Sequence, residues 1–512
     1  MLNRRRFLAS CGGLLLASNA SRRPQAATFD NAPFALGVAS GYPTPTGFTL
    51  WTRLAPAPYA PDGGMPNQDV LVHWDVAEDD NFSTIVASGT TLATPAWAHS
   101  VHVDVTTLRP ARWYRYRFHV GSAMSPMGRT RTAPALASAA RLLRLALVSC
   151  QHYEHGYYAA YRHMLADDLD LVVHVGDYIY EGSWGNGKVR SHIGPDPTTL
   201  IGYRQRYACY KADPLLQATH AVCPWLMVWD DHEVQNDYAA DHSRYGDDPV
   251  AFVARRNAAY RAYYEHMPLP EAMRPRGVQI QIYTHVPWGR LAQIALLDDR
   301  QYRSYRPCSS ARVPSTPDEV NCRARTAPTA TMLGAAQEAW LEQTLTGSMA
   351  QWNVIAQQTL MAQNDGILGP GEQFNTDGWD GYPAARGRLL ATLEQHHVAN
   401  PIVLGGDVHA FWVADLPRDF SMPKSPIVAT EFVGTSITSY AGDDERIRTA
   451  MHEAPNIKFG TGRYRGYLRL DLRPEIATAD LRALRNAQDP NTPCATLASF
   501  NVVSGRPGAV RA

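Results

Sequence analysis

Four apolar runs of this chain stop at side chains of the kinds that can ligate metals. Residues 144–149 end at Cys150, 171–175 at Asp177 and Tyr180, 224–229 at Asp230-Asp231-His232, and 401–404 at Asp407 and His409. A fifth, 291–297, ends at Asp298-Asp299-Arg300. Thiolate, phenolate, carboxylate and imidazole gathered in one place carry several negative charges, which a low-dielectric site holds only with multivalent cations among them. Phenolate with imidazole and carboxylate suits Fe(III); the remaining carboxylate and amide oxygens suit a harder ion such as Ca²⁺, Mg²⁺ or Mn²⁺. Two such cations a few ångströms apart can clamp a phosphate and generate hydroxide near neutral pH, the two-metal logic of phosphoester cleavage.

Those side chains need strands that deliver them to one edge. Continuous apolar runs read as buried parallel strands, and in open α/β sheets ligands bind beyond the carboxyl ends of such strands. From about residue 141 strands alternate with helices, expected over 156–166, 249–266 and 384–397. The expected fold class is therefore α/β, with the strand-rich C-terminal part, including 467–472, completing a second sheet. Before residue 134 the runs at 34–40, 47–52, 70–76, 100–105 and 113–120 are short and mostly alternating, which reads as an N-terminal β-sandwich. The expected domains are 28–136 and 141–512, joined by a small-residue linker. His99 and His102 read as hydrogen-bonded structural histidines, as do His152, His155 and His174; Glu181 and Glu233 read as supporting residues behind the ligands.

With 48 basic and 48 acidic residues among 512, the formal net charge is zero, so no broad attraction to nucleic acid or anionic membrane is expected. Residues 1–27, with Arg4-Arg5-Arg6-Phe7-Leu8 ahead of a modest apolar core, read as a cleaved export signal of the twin-arginine kind. The implied partner is the twin-arginine export machinery, and the implied place is the periplasm or the exterior. No apolar stretch after the N-terminus is long enough to span a bilayer, and a monomer is expected. Of the seven cysteines, Cys308 and Cys322 are the best-placed disulfide pair for an oxidising compartment, and Cys209 with Cys223 a weaker one.

Five motifs in order, Cys150-Gln151, Gly176-Asp-Tyr-Ile-Tyr-Glu181, Trp229-Asp-Asp-His-Glu-Val-Gln-Asn236, Leu297-Asp-Asp-Arg-Gln-Tyr302 and Gly405-Gly-Asp-Val-His409, resemble the PhoD-type alkaline phosphatases, a branch of the calcineurin-like metallophosphoesterases. Residues 34–41 and 50–53 likewise resemble that family's N-terminal β-domain. The resemblance implies a two-sheet α/β metallophosphoesterase sandwich behind an immunoglobulin-like β-sandwich. It implies Fe³⁺ held by Cys150, Asp177, Tyr180 and His409, and Asp177 bridging to one or two Ca²⁺ with Asp231, Asn236 and Asp407 as oxygen ligands. Which of Asp230, Asp231 and Asn236 ligate is left open.

In the same resemblance a hydroxide between the metals attacks phosphorus in line, His232 protonates the leaving oxygen and Arg300 neutralises phosphate charge. Asp299 departs from the family pattern, where threonine is common. The implied substrate is a small phosphoester, with monoester, diester and phospholipid head group all open. The same donors would serve redox chemistry, and a degenerate site would make a binding protein. Phosphate release after metal reconstitution separates these readings.

Overall fold

The computed structural model describes residues 31–308, 318–422, 424–441 and 444–512. The expected signal, residues 1–27, lies outside them. Two large mixed sheets face each other. In the first, Leu143–Val148, Leu171–His174 and Trp225–Met227 run parallel at the centre of ten strands. In the second, Ala292–Leu296, Trp352–Ala356, Pro401–Gly405 and Ile427–Val433 run parallel within seven.

Alternation along the second sheet shows why those strands are apolar at every position. Ile294, Val354 and Ile402 join Leu145, Leu147 and Val173 in the core between the sheets. Their neighbours Ala295, Ile355 and Val403 join a separate core with Leu341 and Leu389 of the helices Gly334–Thr346 and Pro383–Gln395. Each strand is thus buried on both faces, so period-two patterning is invisible in it.

Four of the five expected N-terminal strands form in place, the first begins at Val38 instead of 34, and Ile85–Ala93 was not anticipated; nor do they make a separate body. Val38–Thr44, Gly47–Arg53 and Ser100–Val105 extend the ten-stranded sheet, while Val70–Ala77, Ile85–Ala93, Trp113–Val120 and two short strands make a five-stranded sheet of their own. The join is one parallel pairing, Gly41 opposite Trp225. A Cβ at Gly41 would lie 2.6 Å from the Pro268 carbonyl oxygen and 2.7 Å from that of Trp225, so only glycine allows the approach.

The C-terminal expectation needs a correction. Arg465–Leu472 does not complete the second sheet; it pairs antiparallel with Leu143–Val148 and extends the first. Its alternation fits either partner, and only the position of the neighbouring strand decides. Helices form at Ala159–Met164, Pro249–His266 and Pro383–Gln395. Leu200–Lys211 and Pro214–Val222 were not anticipated, although the second starts on an Asp213-Pro214 cap in which the Asp213 carboxylate accepts from the N–H groups of Leu215 and Leu216. Cys308 and Cys322 are disulfide-bonded with Cα atoms 6.0 Å apart, whereas Cys209 and Cys223 are free and buried. His99 and His102 bond the carbonyls of Gln68 and Leu269, as structural histidines do. No helix among the described residues is long and apolar enough to cross a membrane.

Candidate active site

The ligand candidates leave their strands in backbone conformations that L-residues rarely adopt. Cys150 (φ 57°), Asp177 (56°), Asp407 (62°) and His409 (51°) all sit in the left-handed region. Strain of this kind persists only where surrounding structure over-determines it, and it concentrates at functional sites. Here the restraint is a set of cross-links between strand ends. The Cys150 N–H donates to the Gly176 carbonyl (3.1 Å), that of Gln151 to Asp177 (3.1 Å), and that of Gly406 to Gln358 (2.8 Å). A Cβ on Gly406 would lie 2.6 Å from Ser149 Oγ, so the glycine lets the second sheet's loop close onto the first.

Asp177 is the hub. Cys150 Sγ, a carboxylate oxygen of Asp177 and a ring nitrogen of His409 lie within 4.8 Å of one another; so do carboxylate oxygens of Asp177, Asp230, Asp231 and Asp407. A third such group is Asp177, Asp231 and His232. Tyr180 joins the first group: its hydroxyl donates to Asp177 Oδ2 (2.8 Å) and lies 3.0 Å from His409 Nε2. His409 Nδ1 is 2.6 Å from the Tyr440 carbonyl oxygen, which only accepts, so Nδ1 carries the proton and Nε2 keeps its lone pair for the site. Ser439 Oγ donates to the Tyr180 oxygen (2.8 Å).

Electrostatics in this half favour neutral, proton-bearing donors. Burial, with Asp177 adding to it, pushes both the Cys150 thiol and the Tyr180 phenol well above their usual ranges. Burial likewise lifts Asp177, and holds His409 down at about 3.

The carboxylate half is built differently, because it contains its own cation. Arg300, 1% exposed, donates through Nε to Asp230 and through Nη1 to Asp377 Oδ2 (2.7 Å), and its Nη2 stands 3.6 Å from Asp231 Oδ1. Arg303 takes the other Asp377 oxygen (2.6 Å). Arg244 and Arg306 flank Asp237, whose N–H donates to Asp231 Oδ2 (2.7 Å). Burial raises Asp231, yet Arg300 and His232 outweigh it and leave that carboxyl below its ordinary value. Asp407 is pushed up to about 6 by burial with Asp231 beside it. Asp299 is held by Gln358, its N–H donating to Gln358 Oε1 (3.2 Å) and its Oδ2 accepting the Gln358 N–H (3.4 Å), and burial lifts its carboxyl to about 7.

His232 lies at the junction, its ring 4.1 Å from that of Tyr180. Nδ1 is 2.6 Å from Glu181 Oε2. Burial pulls the imidazolium down, but Glu181, Asp231 and Asp177 together hold it well above its ordinary value. Glu181 also accepts the Asn236 N–H (2.7 Å), which fixes Asn236 beside the cluster by its backbone; no described contact brings its carboxamide to the carboxylates. Glu233 accepts the N–H groups of Asp177, Tyr178 and Asp230 (3.1, 2.7 and 2.9 Å), so it shapes both strand ends.

Asp377, Ser439 and Tyr440 were not singled out from the sequence. Asp377 falls in a Gly- and Asn-rich stretch just after the short strand Gln373–Asn375, which has no apolar run to mark it, so only its two buried arginine partners reveal it.

The donor set fits cations. Asp230 Oδ2 and Asp231 Oδ1 are buried with no hydrogen-bond partner, and an orphaned buried carboxylate oxygen is costly unless something positive meets it. Cys150, Asp177, Tyr180 and His409, with thiol, phenol and imidazole among them, would hold a transition-metal ion, and the carboxylates of Asp177, Asp231 and Asp407 an oxygen-seeking one.

Comparison with known proteins agrees with this architecture. Residues 145–481 match the model of the PhoD-like phosphatase family, and residues 18–134 match that of the PhoD-like phosphatase N-terminal domain. The chain is 43% identical over 515 residues to alkaline phosphatase D of Bacillus subtilis (strain 168), covering 97% of this chain and 87% of that protein. It superposes on a solved structure of PhoD with a TM-score of 0.91 at 43% identity, over 95% of this chain and 93% of the other. A family match over most of the chain, and a shared fold that carries the strand-end donors to one place, make this protein a member of the PhoD-like phosphatase family.

Proposed function

We propose that the chain is an exported, metal-dependent phosphoester hydrolase of the alkaline phosphatase D kind. The observation that supports it most is the convergence on Asp177 of two donor groups of different chemistry, drawn from residues as far apart in the sequence as Cys150 and His409. We assign Fe³⁺ to Cys150, Asp177, Tyr180 and His409, and Ca²⁺ to Asp177, Asp231 and Asp407 with Asn236, Asp230 serving Arg300 instead. Cations there would polarise the phosphoester and lower the pKa of a water to near neutrality.

This chain's own residues do the rest. His232, held on Nδ1 by Glu181, presents Nε2 as the acid that protonates the leaving oxygen. Asp230 and Asp377 hold the Arg300 guanidinium on two donors, leaving Nη2 as the arm that meets phosphate charge. Arg303, sharing Asp377, keeps that carboxylate charged and in place.

The domains divide as 28–136, an immunoglobulin-like sandwich that shares one sheet with its neighbour, and 141–512, a metallophosphoesterase sandwich. Residues 1–27 direct twin-arginine export, and the mature protein is a monomer. Steady-state hydrolysis of p-nitrophenyl phosphate against its bis-ester tests the activity and ranks monoester against diester. No phosphate or p-nitrophenol release from either after reconstitution with iron and calcium would sink the reading. Replacing Arg4, Arg5 and Arg6 by lysine should leave the protein in the cytoplasm.

A further inference from the structure

The His152 side of the site is an aromatic box. His152 and His155 stack at 3.7 Å, His155 stacks on Tyr440 at 3.7 Å, and the His152 ring lies 4.5 Å from that of Tyr180. His152, His155 and Tyr180 are buried and Tyr440 partly so; Trp184, beside them, has 39% of its surface exposed. It stands nearly perpendicular to His155 (4.3 Å, 85°), His152 (5.5 Å, 88°) and Tyr440 (6.0 Å, 83°). Its plane is parallel to that of His409 within 5°, with centroids 6.5 Å apart, farther than the contact stacks of the box.

This indole is not a loose surface residue. His155 Nε2 lies 2.9 Å from the Trp184 carbonyl oxygen, and Tyr440, whose own carbonyl holds His409, donates through its hydroxyl to the Asn186 carbonyl. The groups that orient a metal-ligand candidate therefore also orient Trp184. A partly exposed indole whose ring lies 6.5 Å from that of His409, and parallel to it, offers a face to a flat apolar partner.

We infer that Trp184 forms a subsite for an aromatic substituent of the phosphoester, so that aryl or nucleoside esters bind better than alkyl esters of similar size. This rests on the hydrolase reading, and the test separates the two. Benzylphosphonate and cyclohexylmethylphosphonate, of similar size, carry P–C bonds that a phosphoesterase cannot cleave, so their equilibrium binding to the purified enzyme reports the subsite without turnover. The wild type should favour the benzyl compound, and Trp184→Ala should cut that preference about tenfold, the scale of one ring stacked on an aromatic side chain. Trp184→Phe should keep most of it.

A wild type indifferent to the two compounds, or an alanine variant that weakens both alike, would overturn the subsite, since a merely structural role moves both affinities together. A preference that persists in the wild type and falls in Trp184→Ala, in an enzyme that hydrolyses neither p-nitrophenyl phosphate nor its bis-ester, would support the subsite while counting against the hydrolase reading.

Discussion

The two halves of the site share Asp177 but balance charge in opposite ways. Among the described residues no guanidinium bonds the side chains of Cys150, Tyr180 or His409: Arg206 donates to the Tyr180 carbonyl and Arg465 to Ser436 Oγ and the Ser439 carbonyl, while the donors keep their protons and bond one another through Asp177 and Ser439. Around Asp230, Asp231 and Asp407 the chain supplies Arg300, itself anchored by Asp377. The first half can ionise only as a cation displaces its protons, whereas the second is partly compensated before any ion arrives. One half is thus a site whose charge state depends on its metal, and the other a scaffold with standing charge.

The comparison breaks most severely at the shared residue. Asp177→Asn should lower kcat/KM about 10³-fold or more and release both kinds of metal, because the groups act as a unit; retention of iron measured by elemental analysis would show that the halves are independent. Next comes the built-in cation. Asp377→Ala leaves Arg300 and Arg303 without their common carboxylate, and breaking a buried pair should cost about 3 kcal/mol of stability, read by denaturant unfolding of the metal-stripped protein. An unchanged midpoint would mean that water or another carboxylate replaces it.

Tyr180→Phe should abolish visible phenolate-to-iron absorption and reduce kcat/KM about 100-fold, while calcium content stays the same. A colourless wild type that hydrolyses phosphoesters would remove iron from the assignment. Glu181→Gln frees His232 and should cost about 10- to 100-fold in kcat. It should also shift the alkaline limb of the rate profile to lower pH, since Glu181 is the foremost group holding the imidazolium up.

The smallest effect is on pH. Asp407 is lifted to about 6 and must be ionised to ligate. Calcium affinity should therefore be flat in this group above pH 6 and weaken by about tenfold per pH unit below it for one displaced proton, measurable by calorimetry. Affinity independent of pH between 5 and 7 would exclude Asp407 as a ligand.

Much of this was legible because apolar runs are local. A run such as 171–175 must be buried on both faces, and a polar side chain just after it must lie at a sheet end, which is where Asp177 and Tyr180 stand. The helix at Pro249–His266 and the disulfide between Cys308 and Cys322 were legible for similarly local reasons. Asp377 was not, since nothing near it in sequence marks it as buried; nor was Trp184, whose value lies in how its plane meets His409. Arg300 was legible as a cation near phosphate, but not as the partner of three carboxylates.

By itself the sequence determined which donors exist and that they end strands, because burial and turn chemistry are properties of a few neighbouring residues. Tertiary structure decided the rest. Arg465–Leu472 lies in the first sheet, the Val38–Thr44 strand joins it through Gly41, and Asp177 belongs to both donor groups. Periodicity says that a face is buried but not against what, and that partner is set only when two sheets close on each other with Gly406 against Ser149.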